Sequence, residues 1–192
     1  HDRRLYALNQ DGTKKWELAR GGPILSSPAI DSDGVVFVTS ADGMLLAMNS
    51  DGTKKWEVRT GGITPASPVL DAEGNIYVGV NNLLCAYSPD GKKLWQYATG
   101  DTIESSGVAC ADGTVLIGSR DGSVHAVSPE GRHAWHNWLE GYILSSPVVA
   151  KDGTIFALTY YRLHALRGEA GLTRSSWPIF QGNPQHTGRS SF

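Results

Sequence analysis

Charge of one sign is what this sequence most plainly lacks. Its 192 residues carry 17 lysines and arginines against 19 aspartates and glutamates. That balance excludes the broad basic footprint of a nucleic-acid binder. Cysteine is scarce: Cys85 and Cys110 are the only two, and no Cys-x-x-Cys occurs. Two thiols do not make a disulfide framework. No apolar run approaches the ~18 residues of a membrane-spanning helix. No Gly-x-Ser-x-Gly nucleophile elbow is present. The chain opens at His1 without a methionine or a signal-like apolar run, which reads as a processed or trimmed piece whose targeting segment is out of view.

Glycine (23) and tryptophan (6) are what it does have. Together they point to many short strands, tight turns and large rings filling the spaces between. The tryptophans set a repeat. Trp16, Trp56, Trp95 and Trp135 follow one another at 40, 39 and 40 residues. Ala7, Ala47, Ala86 and Ala126 each lie nine positions earlier, with a fifth at Ala165. Between alanine and tryptophan sits an acidic-Gly pair, so the unit reads A-x-x-x-[DE]-G-x-x-x-W. The heptapeptide DGTKKWE occurs twice, at Asp11–Glu17 and Asp51–Glu57. A second element recurs out of phase: SSPAIDSDG from Ser26, ASPVLDAEG from Ala66, SSGVACADG from Ser105 and SSPVVAKDG from Ser145.

Each unit holds four short β-type runs. In the first full unit these are Ser27–Asp31, Val35–Thr39, Leu45–Asn49 and Thr53–Val58, separated by acidic-Gly turns. Glycine permits the positive φ that tight hairpins require. The runs leave no room for helices. An up-and-down four-stranded sheet repeated every ~40 residues cannot bury both faces alone, but sheets stacked around an axis can. The predicted fold is therefore an all-β propeller, with residues 1–192 as one domain. Its units are 4–18 (partial), 26–58, 67–98, 105–138 and 145–180. Trp16, Trp56, Trp95, Trp135 and Trp177 are read as rings wedged between blades, each contributing roughly 2–3 kcal/mol by burial.

Strings such as LYALNQDGTKKW (5–16), SSPAIDSDGVVFV (26–38) and the tail WPIFQGNPQHTG (177–188) resemble PQQ-like, or quinoprotein-type, repeat proteins. The resemblance covers essentially the whole chain. It implies propellers of six to eight blades and a location in the periplasm or outside the cell. In dehydrogenase members it implies PQQ with calcium on the axis; in others, including the BamB type, it implies protein binding. The docking motif here has ten residues rather than eleven, with Asp-Gly or Glu-Gly in place of Thr-Gly. No vicinal cysteine pair is present. No cofactor is therefore expected, with PQQ and calcium as the alternative.

The phase of the repeat gives about four and a half to five blades. Three arrangements accommodate this: a small five-blade ring, a fragment of a longer propeller, or a half-propeller completed by a second copy in a homodimer. Open strand edges favour recruitment of partners.

Catalytic signals are weak. DSDG at 31–34 begins like a calcium loop, but Asp33 and Gly34 recur as turn residues in every unit. His133 and His136 form His-x-x-His beside Trp135, but no third ligand is evident and a regular strand puts residues three apart on opposite faces, so solvated or core histidines are expected rather than a zinc site, and no metal site is expected. Cys85 and Cys110 fall in different units and at different strand depths, so free thiols are expected. The repeated serines read as structural hydrogen bonding near the axis, and the lysines of DGTKKW as solvation of an outer edge. Departures from the repeat carry more information. The turns joining second and third strands, and the loops joining units, should open on one face. There Arg120, Tyr142, Tyr160, Tyr161 and Arg162 make a candidate aromatic and cationic patch of the residue types found at binding hot spots. Ordinary loop variation is the alternative. The leading functional reading is a non-enzymatic module that binds protein or glycan through this face. A quinoprotein oxidoreductase, or a fragment of one, is the rival. A recently amplified or engineered repeat protein without a selected ligand is the third reading.

Overall fold

Acidic-Gly turns every few residues should fold the chain into successive hairpins, and they do. The computed structural model describes residues 2–168. Among these are seventeen strands and no helix, in five antiparallel sheets that follow chain order. Blade 1 is the pair β1 (Arg4–Leu8) and β2 (Lys14–Ala19). Blade 2 contains β3 (Ala29–Ile30), β4 (Val36–Ser40), β5 (Met44–Met48) and β6 (Lys54–Arg59). Blade 3 contains β7 (Val69–Leu70), β8 (Ile76–Val80), β9 (Leu83–Tyr87) and β10 (Lys93–Ala98). Blade 4 contains β11 (Val108–Ala109), β12 (Val115–Gly118), β13 (Ser123–Val127) and β14 (His133–Trp138). Blade 5 has three described strands: β15 (Val148–Val149), β16 (Ile155–Leu158) and β17 (Leu163–Leu166). Trp177 and the rest of the last predicted unit lie outside the described residues.

The second to fourth strands of blade 2 match the sequence reading to within one residue. The first is shorter: Ala29–Ile30 instead of Ser27–Asp31. Pro28 has no N–H to give a ladder. Ser26 and Ser27 are bonded elsewhere, and the Asp31 carboxylate accepts the amides of Asp33 and Val35 at 3.0 and 2.8 Å. DSDG is thus a turn held by its own aspartate.

The nine-residue spacing of alanine and tryptophan is a cross-strand pair. Ala7 faces Trp16, Ala47 faces Trp56, Ala86 faces Trp95 and Ala126 faces Trp135, each beside a β-bulge. The rings then reach into the following blade. Trp16 Nε1 donates to the Ser50 carbonyl at 3.1 Å, Trp56 to Pro89 at 2.9 Å and Trp95 to Pro129 at 2.8 Å. Their indoles lie on the turn glycines of that blade. A Cβ on Gly52, Gly91 or Gly131 would sit 2.6, 2.8 or 2.6 Å from the ring. Glycine is required there twice over, for its positive φ and for the close approach of the ring. Trp135 is 37% exposed, and among the described residues its Nε1 has no acceptor.

The repeated serines do two jobs. The first of each pair ties the entering loop to the second strand: Ser26 Oγ donates to Thr39 O, and Ser105 Oγ to Gly118 O, at 3.1 and 2.9 Å. The second links blades. Ser27 N–H donates to Ser67 Oγ, Ser67 N–H to Ser106 Oγ and Ser106 N–H to Ser146 Oγ, at 2.8, 3.0 and 3.0 Å. The core lies between these linked sheets. Phe37 and Leu45 pack with Ile76 and Val78, Tyr77 and Leu84 with Ile117, and Leu116 with Val149 and Ile155. Each such side chain contributes about 1.5–3 kcal/mol by burial. Cys85 and Cys110 are buried free thiols. Burial raises both pKa values, with Asp112 helping to push Cys110 to about 12. Such thiols are inert. The outer-edge lysines pair along their strand, Lys14 with Glu17 and Lys54 with Glu57, at 2.9 and 3.1 Å.

Candidate functional site

The second-to-third strand turns bond directly to the loops between units, so both share one face. Ala41 N–H donates to Pro23 O, Asn81 N–H to Ile63 O, Arg120 N–H to Thr102 O and Tyr160 N–H to Tyr142 O, at 2.8–3.2 Å. Blades 4 and 5 gather the candidate residues on this face. The Arg120 guanidinium lies over the Tyr142 ring, 5.5 Å from its centroid, and its Nε contacts Glu104 at 3.3 Å. Tyr160 and Tyr161 pack edge to face at 5.9 Å, and the Tyr161 ring lies against Gly141. Both are 74% exposed, and Tyr142 is 54% exposed. Arg162 stands at the rim, 3.9 Å from Glu140. A depression of about 240 Å³ opens between Tyr142, Leu144, Ser145, Leu158, Thr159 and Tyr160.

Sequence reasoning missed the apolar floor. Leu144 (36% exposed) and Leu158 (50%) line the depression with the tyrosines, and Leu163 (68%) is the ladder partner of Leu158. In the sequence Leu163 occupies the repeat position of Leu45, which is fully buried. No local signal distinguishes the two; only the lack of a following blade among the described residues exposes Leu163.

A second polar cluster lies between blades 3 and 4. Asp121 accepts the Gly100 and Ser123 amides and His125 Nε2, all at 2.8 Å. Burial opposes its charge, but the two amides and His125 outweigh that and hold its pKa below the usual aspartate value. The tautomer that gives His125 Nε2–H to the carboxylate leaves Nδ1 to accept the Tyr97 hydroxyl at 3.2 Å. Burial and then Asp121 raise the Tyr97 pKa, so its hydroxyl stays a proton donor. Beside this relay, His133 and His136 are together, with Nε2 and Nδ1 3.0 Å apart. This corrects the expectation that they face opposite ways. The bulge beside Ala126 and Val127 inserts one residue, so both rings fall on one side of β14.

Among the described residues no group of three or more His, Cys, Asp or Glu side chains converges to hold a metal ion.

The comparisons agree with this architecture. The family model described as Outer membrane protein assembly factor BamB matches residues 1–102 and again residues 80–191. No curated protein matches the chain at a meaningful level. Among solved structures, BamB from Moraxella catarrhalis is 25% identical, with a TM-score of 0.71 over 83% of this chain and 52% of that one. This chain therefore spans about half the length of that BamB. A protein of unknown function from Bacteroides caccae is 16% identical, with a TM-score of 0.62 over 86% of this chain and 69% of its own. The WD40 β-propeller domain of Doa1 is 14% identical, with a TM-score of 0.71 over 85% of this chain and 56% of its own. These last two likenesses concern the fold alone. With its alanine-to-tryptophan units, stacked four-stranded sheets and two overlapping family matches, the chain belongs to the BamB family of PQQ-like β-propeller repeat proteins.

Proposed function

We propose that the protein is a non-enzymatic binding module of the cell envelope, periplasmic or extracellular, that engages a protein partner through the loop face of blades 4 and 5. The observation that carries this is the exposure of Tyr160 and Tyr161, each 74%, beside Tyr142 under Arg120. Contiguous exposed apolar patches mark interaction sites, and tyrosine and arginine are among the types enriched at binding hot spots. The family's description, outer membrane protein assembly, supports a protein ligand and an envelope location.

The test is site-specific photo-crosslinking. A photoreactive phenylalanine at Tyr161 should give discrete adducts, and one at Asp51, on the opposite end of the blades, should give none. Replacing Arg120 and Tyr142 together by alanine should abolish the Tyr161 adducts. Equal labelling at both positions, or adducts unaffected by the double substitution, would overturn the assignment.

A further inference from the structure

His133 and His136 form an exposed pair of imidazoles on β14. We propose that it binds a divalent transition ion of the copper(II) or nickel(II) class, with water completing the coordination. His133 Nε2 and His136 Nδ1 are 3.0 Å apart, with ring centroids at 5.3 Å. Two imidazole nitrogens on one metal, each at about 2.0–2.1 Å, lie about 2.9 Å apart when cis at a right angle and about 3.3–3.4 Å apart in a tetrahedron. The observed spacing matches the right-angled arrangement of tetragonal copper(II) and nickel(II) sites better than tetrahedral zinc. Copper(II) heads the affinity order for such a donor set.

The surroundings fit a two-ligand open site. Every residue of β14 is exposed, so water can fill the other positions. Tyr97 stacks on His133 at 6.4 Å, and His125 on His136 at 5.8 Å, so the two rings are held from both flanks. His125 is not a ligand, because Asp121 and Tyr97 occupy both of its nitrogens. The contact between the pair needs one proton shared between two rings. The metal takes the place of that proton, which moves to the remote nitrogen of its ring in a neutral pair or to solvent from a protonated one, and both imidazoles then act as neutral donors.

Copper(II) titration followed by electron paramagnetic resonance tests this. The parent for the series is the 192-residue chain with His1→Ala and an acetylated amino terminus, because an N-terminal amine beside an imidazole binds copper by itself. One ion per chain should bind, with hyperfine structure from two equatorial nitrogens. Either His133→Ala or His136→Ala should weaken binding by about tenfold or more and leave one nitrogen at most. His164→Ala should leave both signals intact. Because both rings are exposed, the variants should keep the parent's circular dichroism, and copper should raise the melting temperature of the parent but not of His136→Ala. Unchanged affinity in both histidine variants, or a parent spectrum with a single nitrogen, would overturn the site.

Discussion

The two copies of DGTKKWE are identical in sequence and nearly identical in local structure, yet they occupy different surroundings. In both, the aspartate accepts the threonine amide at 2.9 Å and the glycine amide closes the turn on an asparagine carbonyl. The glycines have φ of 83° and 89°. The difference is in what lies above them. Gly52 carries the indole of Trp16, whereas nothing comes within 4 Å of a Cβ on Gly12. One strand back, Tyr6 is 45% exposed, and its repeat equivalent Leu46 is fully buried. The heptapeptide specifies the hairpin; the preceding blade decides how much that hairpin is worth.

Substitutions that treat the copies alike should therefore give unlike results. The largest gap is expected between Leu46→Ser and Tyr6→Ser. The first leaves a cavity and buries a hydroxyl, at about 3–5 kcal/mol; the second should cost under about 1 kcal/mol. Equal midpoints in urea would break the comparison. Trp56→Ala should likewise cost about 3–5 kcal/mol, because its ring packs on Gly91 and on Phe37 at 5.9 Å. Trp16→Ala removes a ring on the half-blade and should cost less. A melting shift below about 2 °C for Trp56→Ala would refute the wedge.

Gly12→Ala and Gly52→Ala both incur the left-handed strain of about 1–2 kcal/mol. Only Gly52→Ala meets a ring, adding about 1–3 kcal/mol of overpacking. Combining Gly52→Ala with Trp16→Ala should remove that surplus, which a double-mutant cycle reads directly. The smallest expected difference is in the acids. Asp11 and Asp51 are both held below the usual aspartate pKa, by the Thr13 or Thr53 hydroxyl first and the same residue's amide second. A lowered folded pKa contributes stability above the unfolded value of about 3.9 and loses it as pH falls through the folded value. Carboxyl NMR titration should find both midpoints low and alike, since the largest causes are the hydrogen bonds within the turn.

Much of the architecture is legible in the sequence. The alanine-to-tryptophan spacing is a cross-strand pair, and the second-to-fourth strands of blade 2 fall within one residue of their expected places. The departures from that pattern turn on single residues. The first strand is shorter than expected because Pro28 has no N–H to give and the two serines before it are committed to other bonds. A regular strand would put His133 and His136 on opposite faces, but the bulge breaks the period of two. The aromatic residues of the candidate patch could be named from departures in the repeat, but its leucine floor could not.

The sequence by itself determined the hairpins, the turn glycines, the repeat period and the pairing of alanine with tryptophan, because these depend on contacts within one unit. Tertiary structure alone decided which identical residues are buried. Leu45 and Leu163 hold one repeat position; the first is covered by the next blade, and the second is 68% exposed beside Tyr160 and Tyr161. Burial is a property of neighbouring sheets, and a repeating sequence presents the same face whether or not another blade is there to cover it.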